Sequence, residues 1–155
     1  MTRTADLDRF DRALLAEMQK DNQTPARLLA ERVGLSQSAV LRRLRRLRAE
    51  KIIAADVSIV SPEILGVPLS VHVLVSISQG SRTYKDFARK LRLRPEVRHA
   101  SYVTGGADFV IHLRIASMAD YAEFAKEMFH DDPNVVEYHT YVAMHEVVGP
   151  GASLK

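Results

Sequence analysis

The sequence contains no cysteine. That excludes disulfides, thiolate zinc fingers, iron–sulfur clusters and cysteine nucleophiles, and with them thiol redox sensing. It also fits a reducing compartment. No export signal is expected: the stretch from Met1 to Asp11 is charged and lacks an apolar segment. The longest run free of Lys, Arg, Asp and Glu, Ile64 to Ser81, is broken by Gly66, Pro68, His72 and several serines. Its end alternates apolar with polar residues, so it reads as a strand and not as a spanning helix. A cytoplasmic protein with no membrane association is the expectation. There is no His-Glu-x-x-His, nucleophile elbow or phosphate loop. No resident metal or cofactor is expected, and an enzyme is the weaker reading.

What is present is enough for a real core. The 155 residues, 46% of them hydrophobic, fit one ordinary domain or two small ones. A net charge of +3 hides an asymmetry: residues 1–51 carry 12 Lys+Arg against 7 Asp+Glu, and the rest carry 10 against 12. The period changes with the charge. The basic part repeats at helical spacing, and the remainder mixes alternation with helices. This predicts an α+β protein with two domains, 1–60 and 61–155.

In the first part, Leu7, Phe10, Leu14 and Met18 make one stripe of a helix from about Asp6, its expected N-cap, to Lys20. Thr24-Pro25 reads as an N-cap and first helical position. That helix ends at Gly34, and Ser36 caps the next. Helix, short glycine turn and helix is the helix-turn-helix pattern, although an ordinary helical hairpin looks the same. The third helix decides between them. Val40, Leu44 and Leu47 fall on one side, with Ser38, Arg42, Arg45 and Arg46 opposite. From Ser36 to Arg48 there are five arginines and no acid. Charge of one sign repels itself unless a polyanion neutralises it, and guanidinium suits phosphates and guanine edges. Double-stranded DNA is the expected partner. Ser36, Gln37 and Ser38 at the helix start and Arg42, Arg45 and Arg46 along it are the candidate contacts. Arg43 lies nearer the buried side and is either a phosphate contact or a packing arginine. Lys51–Ile53 and Val57–Val60 read as short strands, a wing or the start of a linker, and Ser61-Pro62 with Gly66-Val67-Pro68 marks the boundary.

In the second part, Leu69–Ser78 alternates as a strand. Tyr84, Phe87, Ala88 and Leu91 give a helix that Pro95 ends. Val97–Val103 is a second strand, Thr104-Gly105-Gly106-Ala107 a turn, and Phe109–Ile115 a third strand. A helix opens at Ser117, and Val135–Val148 is a long last strand. The order βαββαβ is the ferredoxin-like arrangement. One sheet face is left uncovered, which predicts a homo-oligomer.

Together the two parts resemble the Lrp/AsnC family of transcription regulators. The residues that carry the resemblance are Leu7-Asp8-Arg9-Phe10-Asp11, Leu29–Ser36, Arg42-Arg43-Leu44, Pro62–Gly66, Pro95-Glu96-Val97, Val103-Thr104-Gly105 with Asp108-Phe109, and Thr140–Met144. The resemblance implies a winged helix-turn-helix that reads operator DNA and a C-terminal effector and assembly domain. It also implies dimers that associate into rings, octamers among them, and a small effector, an amino acid, near the glycine turn. Thr104, Gly105, Gly106, Asp108, Tyr138 and Thr140 are the candidate effector residues. Glycine N–H groups there could approach a carboxylate, and Asp108 could accept from an ammonium. A plain hairpin turn is the competing reading. The chain departs from the family pattern at Gly106, often acidic, at Ala107, often aromatic, at Tyr138-His139-Thr140, where Thr-Arg-Thr is common, and at Lys51, usually glycine.

Two alternatives remain. His72, His99, His112 and His139 all fall on expected strands. They could serve an enzyme acting on a tetrapyrrole, as in some relatives of the family, or a metal- or pH-sensing regulator.

Overall fold

The computed structural model describes residues 6–78 and 80–148. They form two compact units, one reaching to Ile59 and the other spanning Val60–Val147.

The first unit is three helices, α1 (Arg9–Lys20), α2 (Ala26–Val33) and α3 (Gln37–Ala49). Leu14, Leu29, Val40, Leu44 and Leu47 pack into one core, so the expected apolar side of α3 is the buried one. The first N-cap is Asp8 rather than Asp6. Its carboxylate accepts from the Asp11 N–H at 2.8 Å, and the Asp8 N–H donates back to Asp11 at 3.3 Å, which closes a capping box. Thr24 caps nothing: Pro25 holds the cap position of α2, and the Thr24 hydroxyl turns to Asp21 at 3.1 Å. Gly34, with φ 71°, ends α2 in the left-handed region.

The expected wing strands do not form, and residues 51–60 are irregular. Val57, Ile59 and Val60 are exposed, and two short strands without a cover do not hold together. Instead α3 closes in a Schellman turn. Ile52 N–H donates to Leu47 O at 2.9 Å and Lys51 N–H to Arg48 O at 3.0 Å, and Ile52 packs on the core beside Leu47. Lys51 sits at the position that usually takes glycine, with φ 56°. Arg48 then ties Asp56 at 2.7 Å.

The second unit is β1 (Leu69–Ile77), α4 (Ser81–Arg92), β2 (Val97–Tyr102), β3 (Phe109–Ile115), α5 (Met118–Ala125) and β4 (Val135–Val142). The order in the antiparallel sheet is β2-β3-β1-β4, the ferredoxin-like topology expected. The last strand stops at Val142, short of Val148. After Ala143, whose N–H reaches Ser70 O at 2.9 Å, the chain leaves the ladder, and Met144, Val147 and Val148 are exposed. Ser117 caps α5 as expected, and a π turn, Lys126–His130, carries that helix on. Val71, Val73 and Val75 of β1 and Phe109, Ile111 and Leu113 of β3 point into one core with Phe87, Phe124 and Phe129. The alternate residues of the strands point the other way.

Candidate DNA interface and effector turn

The arginines of α3 divide into two groups. Arg43 donates from Nη1 to Asp8 at 2.7 Å and to Asp11 at 2.8 Å, and Arg46 also donates to Asp11. Asp11 is fully buried, so both guanidinium groups hold α3 against the start of α1. The Asp11 and Asp8 bonds push the Arg43 pKa up. At Asp8, the Asp11 N–H foremost and then Arg43 hold the carboxyl below the usual range. Arg43 is therefore a packing arginine. Arg46 is bound in the same cluster but remains 43% exposed.

Arg42 and Arg45 are exposed, and among the described residues neither has an ion-pair partner. Ser36 Oγ accepts from the Ala39 N–H at 3.3 Å and lies 3.1 Å from Ser38 Oγ. Ser36, Gln37 and Ser38 are all exposed around the positive end of α3. Missing from the sequence-based set were Asp8 and Asp11, which decide which arginines stay free. Their Asp-x-x-Asp spacing at a helix start was the available signal.

The effector candidates do not gather at one point. Thr104, Gly105 and Gly106 are exposed in the turn between β2 and β3. Val103 N–H donates to Asp108 O at 2.8 Å and closes that turn. A side chain would meet nothing at either glycine, but Gly105 has φ 137°, a conformation that favours glycine. Asp108 is already engaged: its Oδ2 accepts from Ile77 N–H at 2.8 Å and pins the turn to β1. Tyr138 and Thr140 face the helix layer. Tyr138 packs against Phe129 at 5.0 Å, and the Thr140 hydroxyl is hydrogen-bonded to Tyr121 of α5. A cavity of about 280 Å³ between α4 and β2, edged by Tyr84, Arg98 and Tyr102, contains none of the six.

With this geometry in hand, the likeness to known proteins is decisive. Residues 7–48 match the AsnC-type helix-turn-helix domain, and residues 70–152 match the Lrp/AsnC ligand binding domain. The chain belongs to the Lrp/AsnC family. A transcriptional regulator of Sinorhizobium fredii, itself uncharacterized, is 41% identical over 92% of this chain and 85% of its own length. The leucine-responsive regulatory protein of Escherichia coli is 32% identical over 92% and 87%. A transcriptional regulator of Neisseria meningitidis, solved with L-Met, superposes with TM-score 0.87 at 28% identity over 96% of each chain. The feast or famine regulatory protein of M. tuberculosis, also solved with L-methionine, gives 0.82 at 27% over 92% and 95%.

This Lrp/AsnC chain is a transcriptional regulator. It joins a DNA-binding helix-turn-helix domain to a ligand binding domain. Among the described residues no helix is long and apolar enough to cross a membrane.

Proposed function

We propose that Arg42 and Arg45 carry the DNA contact of this regulator and that an apolar amino acid sets its operator affinity. The supporting observation is that these two cations on α3 are exposed and have no ion-pair partner among the described residues, whereas Arg43 and Arg46 are held by Asp11. Ser36, Gln37 and Ser38 place backbone N–H groups and hydroxyls beside a phosphate. Arg43 and Arg46 act as positioning residues that set the angle of α3.

Residues 1–60 form the reading domain and residues 61–155 the effector and assembly domain. Copies pair through the uncovered face of the sheet, and pairs associate into a ring of up to eight chains in the cytoplasm. A dimer would present two α3 helices to half-sites about one turn, roughly 34 Å, apart. Its relatives' bond with L-Met and their leucine response favour an aliphatic or thioether amino acid as effector. The exposed Thr104–Gly106 turn would receive the carboxylate through backbone N–H groups. Asp108 holds that turn in place. Tyr138 and Thr140 would act from the helix side through Tyr121. Binding at an interface between copies favours one assembly over another. The reciprocal change in DNA affinity is about 1–3 kcal/mol.

A polarization titration on duplex DNA from about 50 to 200 mM salt tests the DNA assignment. Unchanged affinity and salt slope in R42A/R45A would remove it. A thermal-shift screen of the amino acids, with assembly mass measured for each hit, tests the effector.

A further inference from the structure

The four strand histidines all project from the sheet face that the helices leave uncovered. Strand pairing sets His99 opposite His112, His112 opposite His72, and His72 opposite Tyr141, one row across all four strands. The rings of His72 and His112 stack, with centroids 4.7 Å apart and planes 13° apart. His139 lies one pair along, opposite Leu74, with Nε2 3.1 Å from Glu137. Leu74 and Val110, a cross-strand pair, give the middle of the face an apolar centre.

The groups around His112 come from every neighbouring element. His72 faces it from β1 and His99 from β2, and Arg114 lies two residues along β3. Tyr141 of β4 stands beyond His72. Glu146, after β4, accepts from Arg114. Ser70 Oγ is 2.9 Å from His112 Nε2. Burial first, then His72 and Arg114, push the His112 pKa down, against an opposing pull from Glu146. The His112 ring, stacked on His72 and with a guanidinium nearby, therefore disfavours its own protonation.

The charge on this face depends on those rings. With the imidazoles neutral, Arg114 is matched by Glu146, and Glu137 is the remaining charge among the residues just named. Such a face can meet its own copy across a twofold axis with little repulsion. Protonated histidines make it strongly positive, and the twofold doubles that charge at short range.

Building on the pairing face proposed above, we infer that protonation of the His99–His112–His72 row separates two copies joined there. The row couples assembly, and through it DNA affinity, to pH in the range where histidine titrates.

Sedimentation velocity on the full chain from about pH 7.5 to about pH 5.5, at constant ionic strength, reads the association directly. The dissociation constant should rise about tenfold or more at the acid end while circular dichroism stays constant. H72Q/H112Q should remove most of that change. An association constant in the wild type that does not move with pH overturns the switch, and so does a double variant that keeps the full pH response. L74E separates the two levels. If it remains fully associated at neutral pH, the pairing face and the switch both fall. If it dissociates while the wild type ignores pH, the switch alone falls. Should H72Q/H112Q not fold, histidine ring signals of the wild type can be titrated by NMR above and below the dissociation constant. His72 and His112 must take up protons at lower pH in the associated sample, and equal values overturn the inference.

Discussion

Asp11 and Arg43 meet at 2.8 Å although 32 residues separate them, and the carboxylate is fully buried. The contact locks α3 to the first turn of α1. Removing the acid leaves guanidinium groups crowded together without their counter-charge. Asp11→Ala should destabilise the N-terminal unit by about 3 kcal/mol, the cost typical of breaking a buried pair. Urea unfolding followed by circular dichroism measures this, and a loss under about 0.5 kcal/mol, the usual surface range, would refute the locking role.

The same contact separates two classes of arginine. Arg42→Ala should leave the melting temperature unchanged and reduce the salt slope of DNA binding by about one. Arg43→Ala should lower the melting temperature clearly, because Asp8 and Asp11 lose their donor. Equal thermal effects from the two variants would contradict the division.

Lys51 holds a left-handed backbone at the end of α3. Lys51→Gly relieves a strain of about 1 kcal/mol. Stability in urea should rise by that order. If the lysine also touches phosphate, DNA affinity falls as stability rises, and that opposition is the signature to look for.

The two glycines of the β2–β3 turn should behave differently. Both have open space around them, but Gly105, at φ 137°, does not accept a side chain without backbone strain. Gly105→Ala should cost about 1–3 kcal/mol and Gly106→Ala close to nothing. Thermal shift with L-methionine on both variants would then report whether the turn binds effector. Loss of the shift in the stable Gly106→Ala would point to a ligand packed directly on that residue.

His112 has a folded-state pKa below its ordinary value near 6.5, with burial as the main cause. The unfolded chain therefore binds more protons than the folded one between the two values. This contribution to stability is complete above the unfolded pKa and is lost as pH falls through the folded one. Unfolding free energy of the second unit should decline below about pH 6.5, and His112→Gln should flatten that decline. Urea titrations at a series of pH values decide it, and an unchanged slope in the variant would count against His112.

Much of this molecule was legible from local pattern. The stripe Val40, Leu44 and Leu47, the caps at Ser36 and Ser117, and the alternation through Val71, Val73 and Val75 all lie within one element. Periodicity and capping act over a few residues, so the sequence displays them directly. The wing was misjudged because β-branched residues such as Val57 and Ile59 favour extended backbone but need a neighbouring strand to become one.

What the sequence determined by itself was the order of elements, the family, and the excess of positive charge on one helix. Tertiary structure alone decided which of those charges are free. Arg43 and Arg46 look like Arg42 and Arg45 along the chain, and only the packing of α1 on α3 brings Asp11 to two of them. It also decided that His72, His99, His112 and His139 share one face, since strand register is a long-range property. A carboxylate within hydrogen-bond reach of a guanidinium changes what that group can do, and no local pattern encodes a contact made across 32 residues.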